Sequence, residues 1–226
     1  MQQTPVTQLR ENMTAFPEPE TVFAADEQWL AQHLLPLLSF DLGDVCEAWR
    51  GTVVHMLAPV EPEEGCIGQE TTAFHNEYAA INWFALRLDA QNRYHFLGDP
   101  RYFARDITQP ESNAFYADIL QSYAHNKAQF RATGNIPYGE FLEALGGGFC
   151  DGNWTETQPI PAAFELTVGN PTDGDPNNGI RITRNGKPLY NIAWVSAYQY
   201  VCYGADAIML FYEPESRTVL FTFDWT

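Results

Sequence analysis

Residues 180–225, IRITRNGKPLYNIAWVSAYQYVCYGADAIMLFYEPESRTVLFTFDW, decide the fold class of this chain. Apolar and polar residues alternate over 180–184, and Asn185-Gly186 is a strong signal for a two-residue hairpin turn. A second hairpin is predicted from 207–212, through a Glu-Pro-Glu-Ser turn, to an alternating strand that ends at Trp225. Consecutive hairpins imply antiparallel neighbours, which favours an α+β fold over a parallel, doubly wound one.

The rest of the chain adds helices and further strands. A long helix is predicted over 109–132, because Thr108 and Glu111 form a capping box, Pro110 suits a first turn, and Gly134 follows the apolar stripe. A β-branched run predicts a strand at 51–57. We therefore expect a largely antiparallel sheet with C-terminal hairpins, packed against one long helix and several shorter ones. The shorter helices are predicted over 26–37, which Pro36 ends or kinks, over 71–80 and over 140–145.

The segment 71–88 has two competing patterns. Phe74, Tyr78 and Ile81 fit helical spacing, whereas Phe84, Leu86 and Leu88 alternate as in a strand. We expect a short helix to about residue 80, followed by a hairpin that turns at 89–93. The pattern leaves the choice between helix and strand open.

Length and composition predict a single domain with a true core. The chain has 226 residues, of which 45% are apolar and 14% aromatic, enough to bury a core without disulfide staples. Residues 1–25 combine three prolines with polar and acidic residues, which is typical of an arm that is flexible or held only by docking. We expect residues 26–226 to form the α+β domain.

Cysteine usage and hydropathy predict a cytoplasmic protein. The first ten residues have no apolar segment behind a basic stretch, and no run of eighteen apolar residues occurs in the chain. Membrane spanning is therefore not expected. The cysteines lie far apart without a C-x-x-C pair, which indicates buried thiols in a reducing compartment: Cys46, Cys66, Cys150 and Cys202.

The charge is strongly negative and unevenly distributed. The net charge is −17. Residues 1–86 hold 13 acidic residues against only Arg10 and Arg50, whereas 87–226 hold 16 acidic and ten basic ones. Such a field repels nucleic acid and anionic lipid, and it either favours a basic partner or serves solubility alone.

No catalytic signature identifies a reaction. A cysteine nucleophile needs a base that follows it in the common order, which leaves Cys46 and Cys66, both beside acidic residues that disfavour the thiolate. The Gly-x-Ser-x-Gly elbow, the His-x-x-x-His zinc pair and phosphate-binding glycine loops do not occur. If the chain is an enzyme, we expect its site to include Cys66, His75 or His95, and the loop 151–154. Otherwise no catalytic residue is assigned, and no cofactor is expected.

The loop 173–180 partly resembles a calcium-binding loop. Asp173, Asp175 and Asn177 supply oxygen ligands at alternate positions. Pro176, Asn178 and Arg184 disagree with the pattern at its fourth, sixth and twelfth positions. An Asx-rich turn that enters the hairpin explains the same residues, so we expect no metal.

Two patches have compositions suited to recognition. The glycine-flanked segment with Asp151, Asn153 and Trp154 has polar groups and an indole on which a ligand can stack, unless Trp154 folds into the core. The hairpin around Asn185 concentrates positive charge, which would bind an anion or receive the acidic front of the chain itself: Arg181, Arg184 and Lys187.

Two apolar stretches resemble segments of small bacterial immunity proteins: Leu-Pro-Leu-Leu at 35–38, and the closing strands at 203–225. The resemblance implies a toxin-neutralising module of α+β type.

These observations lead to two functional hypotheses. The first is a cytoplasmic binding or inhibitory protein, monomeric or weakly dimeric, whose acidic N-terminal half engages a basic protein partner. The residues expected to contribute are Glu61, Glu63, Glu64 and Glu70. The alternative is a small hydrolase or ligand-binding enzyme with a Cys/His or carboxylate site in a cleft between the long helix and the sheet.

Overall fold

The protein is described by a computed structural model that covers residues 5–60, 65–103, 110–148, 152–170, 175, 177 and 179–225. In these ranges the fold mixes strands with one long helix. The helices are α1 (Pro19–Val22), α2 (Pro110–Thr133) and α3 (Asn153–Glu156). No helix of the described ranges is long and apolar enough to cross a bilayer.

The strands form two antiparallel sheets. The small sheet has the order β1-β2-β3. Its strands are β1 (Met13–Ala15), β2 (Leu34–Asp41) and β3 (Val53–Pro59). The large, curled sheet has the order β4-β5-β12-β11-β10-β9-β8, with β6 also paired to β5 and β7 to β10. Its strands are β4 (Ala79–Ala80), β5 (Trp83–Leu88), β6 (Tyr94–Phe96), β7 (Ala144–Leu145), β8 (Glu165–Val168), β9 (Ile180–Arg184), β10 (Lys187–Val195), β11 (Ala207–Glu213) and β12 (Thr218–Asp224).

Both predicted C-terminal hairpins are confirmed. β9 and β10 pair through Arg184 and Lys187 across a turn in which Asn185 has φ 52° and Gly186 has φ 73°. Positive φ at both central residues is the twist that a two-residue hairpin requires, and Asn-Gly accepts it at low cost. β11 and β12 pair from Ala207–Asp224 to Glu213–Thr218, and β10 joins the two hairpins by pairing with β11.

The predicted strand at 51–57 and the hairpin at 84–96 are also confirmed. The former is β3, and the latter is formed by β5 and β6. The turn between them is held by Asp89, whose carboxylate accepts hydrogen bonds of 2.8 Å from the backbone N–H groups of Gln91 and Arg93. A short polar side chain that bonds to the backbone two residues later stabilises such a turn.

Three predicted short helices are wrong. Residues 34–41 form β2, and the helical part of 26–37 is a 3₁₀ segment at Gln28–Gln32. β2 is the middle strand of the small sheet and is buried on both faces except at Asp41, so its continuous apolar run also fits a helical stripe.

The other two corrections also arise from pairing. In 71–80 a 3₁₀ turn at Thr72–Phe74 is followed by an Asx turn, in which Asn76 Oδ1 accepts from the N–H groups of Tyr78 and Ala79. At 140–145 the chain forms β7, which pairs with Ala193 and Trp194 of β10. Segment 140–145 gains backbone hydrogen bonds from a strand distant in the sequence, which local spacing does not reveal, whereas 71–80 is held by the Asx turn and by the pairing of β4 with the neighbouring β5.

The long helix is confirmed at Pro110–Thr133. Its side chains contact the small sheet and the segments that carry Phe16 and Tyr200. Tyr123 packs on Phe16 with ring centroids 5.4 Å apart and donates a 2.6 Å hydrogen bond to the Pro36 carbonyl of β2. Asn126 donates to the Tyr200 carbonyl at 2.9 Å. That the helix also covers the large sheet stays a prediction.

Residues 5–25 lie against both the small sheet and later segments. Val6 forms an antiparallel bridge with Leu142, and its N–H donates to the Leu142 carbonyl at 2.8 Å. β1 pairs with β2, and both Val22 and Phe23 are fully buried. Phe23 also bridges to Tyr94 of β6. The N-terminal segment thus contributes side chains to the core.

The small sheet meets the large one where His55 of β3 contacts Asn92 and Tyr94 of the β5–β6 hairpin, a junction called the seam below. A buried histidine lies at its centre. His55 of β3 is 3% exposed, and its Nε2 lies 2.7 Å from the Asn92 carbonyl, which only accepts hydrogen bonds. Nε2 therefore carries the proton, and Nδ1 accepts from the Ser39 hydroxyl at 2.6 Å. Burial lowers the pKa of His55 to about 4, so the ring is neutral near pH 7.

The same seam is closed by Tyr94. Its hydroxyl accepts from the His55 N–H at 2.8 Å and donates to the His55 carbonyl at 2.9 Å. The N–H and C=O of one strand residue point to the same edge, so this hydroxyl satisfies the edge of β3 that faces away from β2. Burial raises the pKa of Tyr94, which keeps the hydroxyl protonated.

Candidate functional site

The acidic loop, defined as residues 65–78, is a connection tied to the core by several contacts, and it carries the exposed Glu70 and Glu77. It is anchored at Gly68, which has φ 79° and lies against the ring of Tyr102. A Cβ at Gly68 would lie 2.3 Å from Tyr102 Cε2, so both the backbone angle and the space require glycine. The loop is thereby fixed at its start.

Further contacts fix the rest of the acidic loop. Thr71 is 7% exposed and its hydroxyl donates to the Tyr102 carbonyl at 2.8 Å. The Arg101 guanidinium lies 4.4 Å from the centroid of the Phe74 ring. His75 Nε2 donates to the Gly68 carbonyl at 2.8 Å. The two exposed glutamates are therefore presented by a backbone that is tied to the core.

Most Lys and Arg side chains of the described ranges form ion pairs within the chain. Of the eleven Lys and Arg residues in the described ranges, eight form an ion pair with a carboxylate, namely Arg10, Arg50, Arg93, Arg101, Lys127, Arg131, Arg181 and Lys187. Two of these cations, Lys127 and Arg131, share the single carboxylate of Glu18. The hydrogen bond from Lys127 lowers the pKa of Glu18. Few cations are left to offset the remaining acidic residues.

The exposed acidic residues of the N-terminal half have little compensation. No described Lys or Arg lies within ion-pair distance of the exposed Glu11, Glu20, Glu70 and Glu77. Of the four glutamates that the sequence predicts to bind a partner, Glu70 lies on the acidic loop. The other three, Glu61, Glu63 and Glu64, lie outside the described residues.

The predicted cysteine and histidine residues have separate partners. His75 belongs to the acidic loop, whereas His95 lies 3.9 Å from Asp26 and 3.8 Å from Asp89. Beside it, burial raises the pKa of Glu27, although the Trp29 indole N–H donates to this carboxylate at 2.9 Å. Cys66 is partly buried at the start of the acidic loop. His75 and His95 thus belong to different networks.

The predicted cationic hairpin finds partners within the chain. Arg181 donates to Asp175 at 2.9 Å, and Lys187 pairs with Glu215. Arg184 donates to the Tyr78 hydroxyl at 3.1 Å and lies 5.5 Å from the centre of its ring. Both carboxylates come from the C-terminal half of the chain, and only Tyr78 belongs to the acidic loop.

The structure corrects the interpretation of Trp154 as a stacking surface. The side chain is 1% exposed and packs on Trp83 and Phe211, with ring centroids 5.7 and 5.9 Å away. A large indole stabilises the fold more by burial than by exposure, so Trp154 fills the smaller of two hydrophobic clusters, together with Trp83 and Phe211. Asn153 accepts from the Trp225 N–H at 3.1 Å and donates to the Trp225 carbonyl, while Asp151 lies outside the described residues.

The loop with partial calcium-loop spacing forms an Asx turn. Asp175 accepts from the N–H groups of Asn177 at 2.9 Å and Gly179 at 3.0 Å, and it also receives Arg181. These donors, the Asn177 N–H first, lower the pKa of Asp175. Asp173 lies outside the described residues.

Sequence reasoning did not predict a surface depression that the structure contains. It has a volume of about 390 Å³ beside α2 and is lined by Asp118, Gln121, Ser122, His125, Cys202 and Tyr203. The Cys202 thiol donates to the Asp118 carbonyl at 3.7 Å, and no hydrogen bond joins this thiol to His125. Because His125 precedes Cys202 in the chain, the Cys-before-His order gave no signal for it.

Comparison of the chain with protein-family models, with curated proteins and with solved structures finds no match.

Proposed function

We propose that this chain is a cytoplasmic binding or inhibitory protein, of the immunity type, that engages a basic protein partner through its acidic N-terminal half. The observation that carries the proposal is the internal use of the cations: eight of eleven described Lys and Arg side chains pair with carboxylates of the same molecule. The acidic side chains that these cations do not pair with are therefore available to a partner outside the chain. Glu61, Glu63, Glu64 and Glu70 are the proposed contact residues.

The proposal implies electrostatically steered association. Uncompensated negative charge raises the encounter rate with a positive partner, and salt screens this attraction over a Debye length of about 8 Å at physiological ionic strength. The rigid backbone of the acidic loop adds to the effect, because the charges are held in place before the partner arrives. Binding is therefore expected to weaken steeply with salt.

The experiment measures association of the intact chain with polylysine at low and high ionic strength. In one variant Glu70→Lys is combined with Glu77→Lys, and in the matched control Glu156→Lys is combined with Glu165→Lys, exposed residues of the C-terminal half. Both variants change the net charge equally. We expect the first variant to slow association about tenfold and the control to slow it about twofold.

Two results would contradict the proposal. One is an affinity for polylysine that does not change with salt. The other is an equal loss of association rate in both variants, which would mean that net charge alone matters and that the N-terminal half has no special part.

A further inference from the structure

A cavity lies between the link that joins β2 to β3 and strand β10 of the large sheet. Its volume is about 350 Å³, within the range of pockets that hold a small ligand or a single side chain. The link between β2 and β3 supplies one wall, and β10 supplies the opposite wall. The lining residues are Val45, Cys46, Trp49, Gly146, Asn177, Tyr190 and Asn191.

The cavity exists because the large sheet forks at this point. β10 pairs with β9 through Lys187–Leu189 and with β7 through Ala193 and Trp194. Residues 190–192 lie between these two partners, and the register with β11 shifts at the same place. Gly146, with φ 89°, leads the chain away from β7 after donating to the Ile192 carbonyl at 2.7 Å. Bulges of this kind redirect side chains beside binding sites.

Two aromatic rings meet at the cavity. Trp49 packs on Tyr190 with ring centroids 4.9 Å apart, and it also contacts Tyr212 at 5.8 Å. Tyr190 is 41% exposed, so part of its ring is accessible from outside. Aromatic faces carry a negative quadrupole and attract a cation that lies above them.

Asn191 supplies an unused hydrogen-bond acceptor. The residue is 7% exposed, and its Oδ1 is buried without a hydrogen-bond partner. A buried polar atom without a partner costs stability, so its presence beside a cavity points to a ligand that donates to it.

The charge around the cavity favours a positive occupant. The link that forms its wall carries Asp44 and Glu47, which pair with Arg10 and Arg50 in partly or fully exposed contacts. Exposed pairs of this kind contribute little free energy, so an incoming cation competes with Arg10 and Arg50 for the same carboxylates at low cost. An anion would meet the negative field of the whole chain.

We propose that this cavity receives the guanidinium group of an arginine of the basic partner. The cation lies against the rings of Trp49 and Tyr190, whose planes are inclined by 58°, and donates a hydrogen bond to Asn191 Oδ1. Arginine fits better than lysine, because its flat group stacks on rings and its five donors are fixed in one plane. The inference rests on the proposed function and narrows it from a basic partner to one with an exposed arginine anchor.

The experiment compares three peptides, Gly-Arg-Gly, Gly-citrulline-Gly and Gly-Lys-Gly, by calorimetric titration into the intact chain. Citrulline has the shape of arginine without the charge. We expect the arginine peptide to bind most tightly. Asn191→Leu and Tyr190→Ser are each expected to weaken it about tenfold. Tyr198→Ser, which removes another exposed tyrosine, is the control and is expected to leave the affinity unchanged.

The outcomes separate this inference from the proposed function. Equal binding of the arginine and citrulline peptides, or full affinity in Asn191→Leu, overturns the cavity assignment. If salt-sensitive binding to polylysine persists in that case, the proposed function stands without the cavity. Arginine-selective binding that Asn191→Leu removes, together with salt-insensitive polylysine binding, supports the cavity and overturns the acidic-surface proposal.

Discussion

The seam at His55 and the opening at Asn191 each place a buried polar side chain on a strand, with opposite results. His55 has a partner at both ring nitrogens, Ser39 and the Asn92 carbonyl. Asn191 has no partner at Oδ1 and lies where the sheet divides. A satisfied buried group specifies how elements fit together, whereas an unsatisfied one costs stability that a ligand can restore. Burial of a polar side chain alone therefore does not show whether that side chain stabilises the fold or binds a ligand.

Lowering the pH should reduce the unfolding free energy through the seam by more than any of the substitutions below. The pKa of His55 falls from 6.5 to about 4 on folding, so its contribution is complete above pH 6.5 and is lost as the pH falls towards 4. The expected loss of unfolding free energy over that interval is about 3 kcal/mol from this residue. Urea unfolding at a series of pH values measures it, with His55→Gln as the variant that should flatten the slope. Parallel slopes, or an NMR titration of the ring with a midpoint near 6.5, would contradict the assignment.

Loss of the Tyr94 hydroxyl should have the next largest effect. Tyr94→Phe leaves the N–H and C=O of His55 without their partner while preserving the ring, which should lower the unfolding free energy by about 1–3 kcal/mol. Tyr198→Phe, at an exposed ring, serves as the control and should change it by less than about 0.5 kcal/mol. An equal, small effect of both changes would mean that water replaces the hydroxyl and that the seam is open.

Asn191→Leu should behave in the opposite way to substitutions at the seam. Replacing an unsatisfied buried amide by an apolar side chain of similar size should leave stability unchanged or raise it by up to about 1 kcal/mol. Ser39→Ala, which removes the donor to His55, should lower stability by about 1 kcal/mol. Thermal unfolding of the two variants in parallel tests this. A loss of stability in Asn191→Leu as large as that in Ser39→Ala would remove the distinction between the two regions.

The acidic loop should show the smallest effect on stability. Glu70→Lys changes an exposed side chain without an ion-pair partner among the described residues, so unfolding free energy should change by less than about 0.5 kcal/mol. Gly68→Ala is the contrasting change, because it forces a positive φ and a contact with Tyr102, and it should destabilise the loop. Hydrogen exchange of the loop amides distinguishes them, and equal protection in both variants would show that the loop is not anchored at Gly68.

The sequence predicted those elements whose signals are local. The Asn185-Gly186 turn, the alternation in 180–184 and the capping residues of α2 each act over a few residues, and all three elements are present. The alternation in β12 identified its strand but not its position. In the sheet β12 lies between β5 and β11, and both its faces are buried.

The wrong predictions share a physical cause. At 34–38 and 144–145, hydrogen bonds to strands distant in the sequence outweigh helical spacing. The apolar run in β2 fits either periodicity, and only its position between β1 and β3 decides. Segments that are apolar throughout carry little information about secondary structure.

Some features of the candidate sites follow from composition, whereas others depend on how distant segments come together. Charge counting identified the acidic N-terminal half, because net charge is a property of composition. It gave no signal for Trp49 and Asn191, since neither belongs to a motif and their proximity depends on how the two sheets meet. Trp154 was ambiguous, and its packing on Trp83 decided in favour of the core.

The sequence by itself determined the α+β class, the C-terminal hairpins, the long helix and the acidic character, because turn chemistry, side-chain alternation, capping and charge act locally or additively. The tertiary structure alone decided that β2 is a strand, that His55 is a satisfied seam residue and that a fork beside Asn191 opens a cavity. Those features depend on which groups find hydrogen-bond partners across the fold, and partners are set by pairing between distant segments.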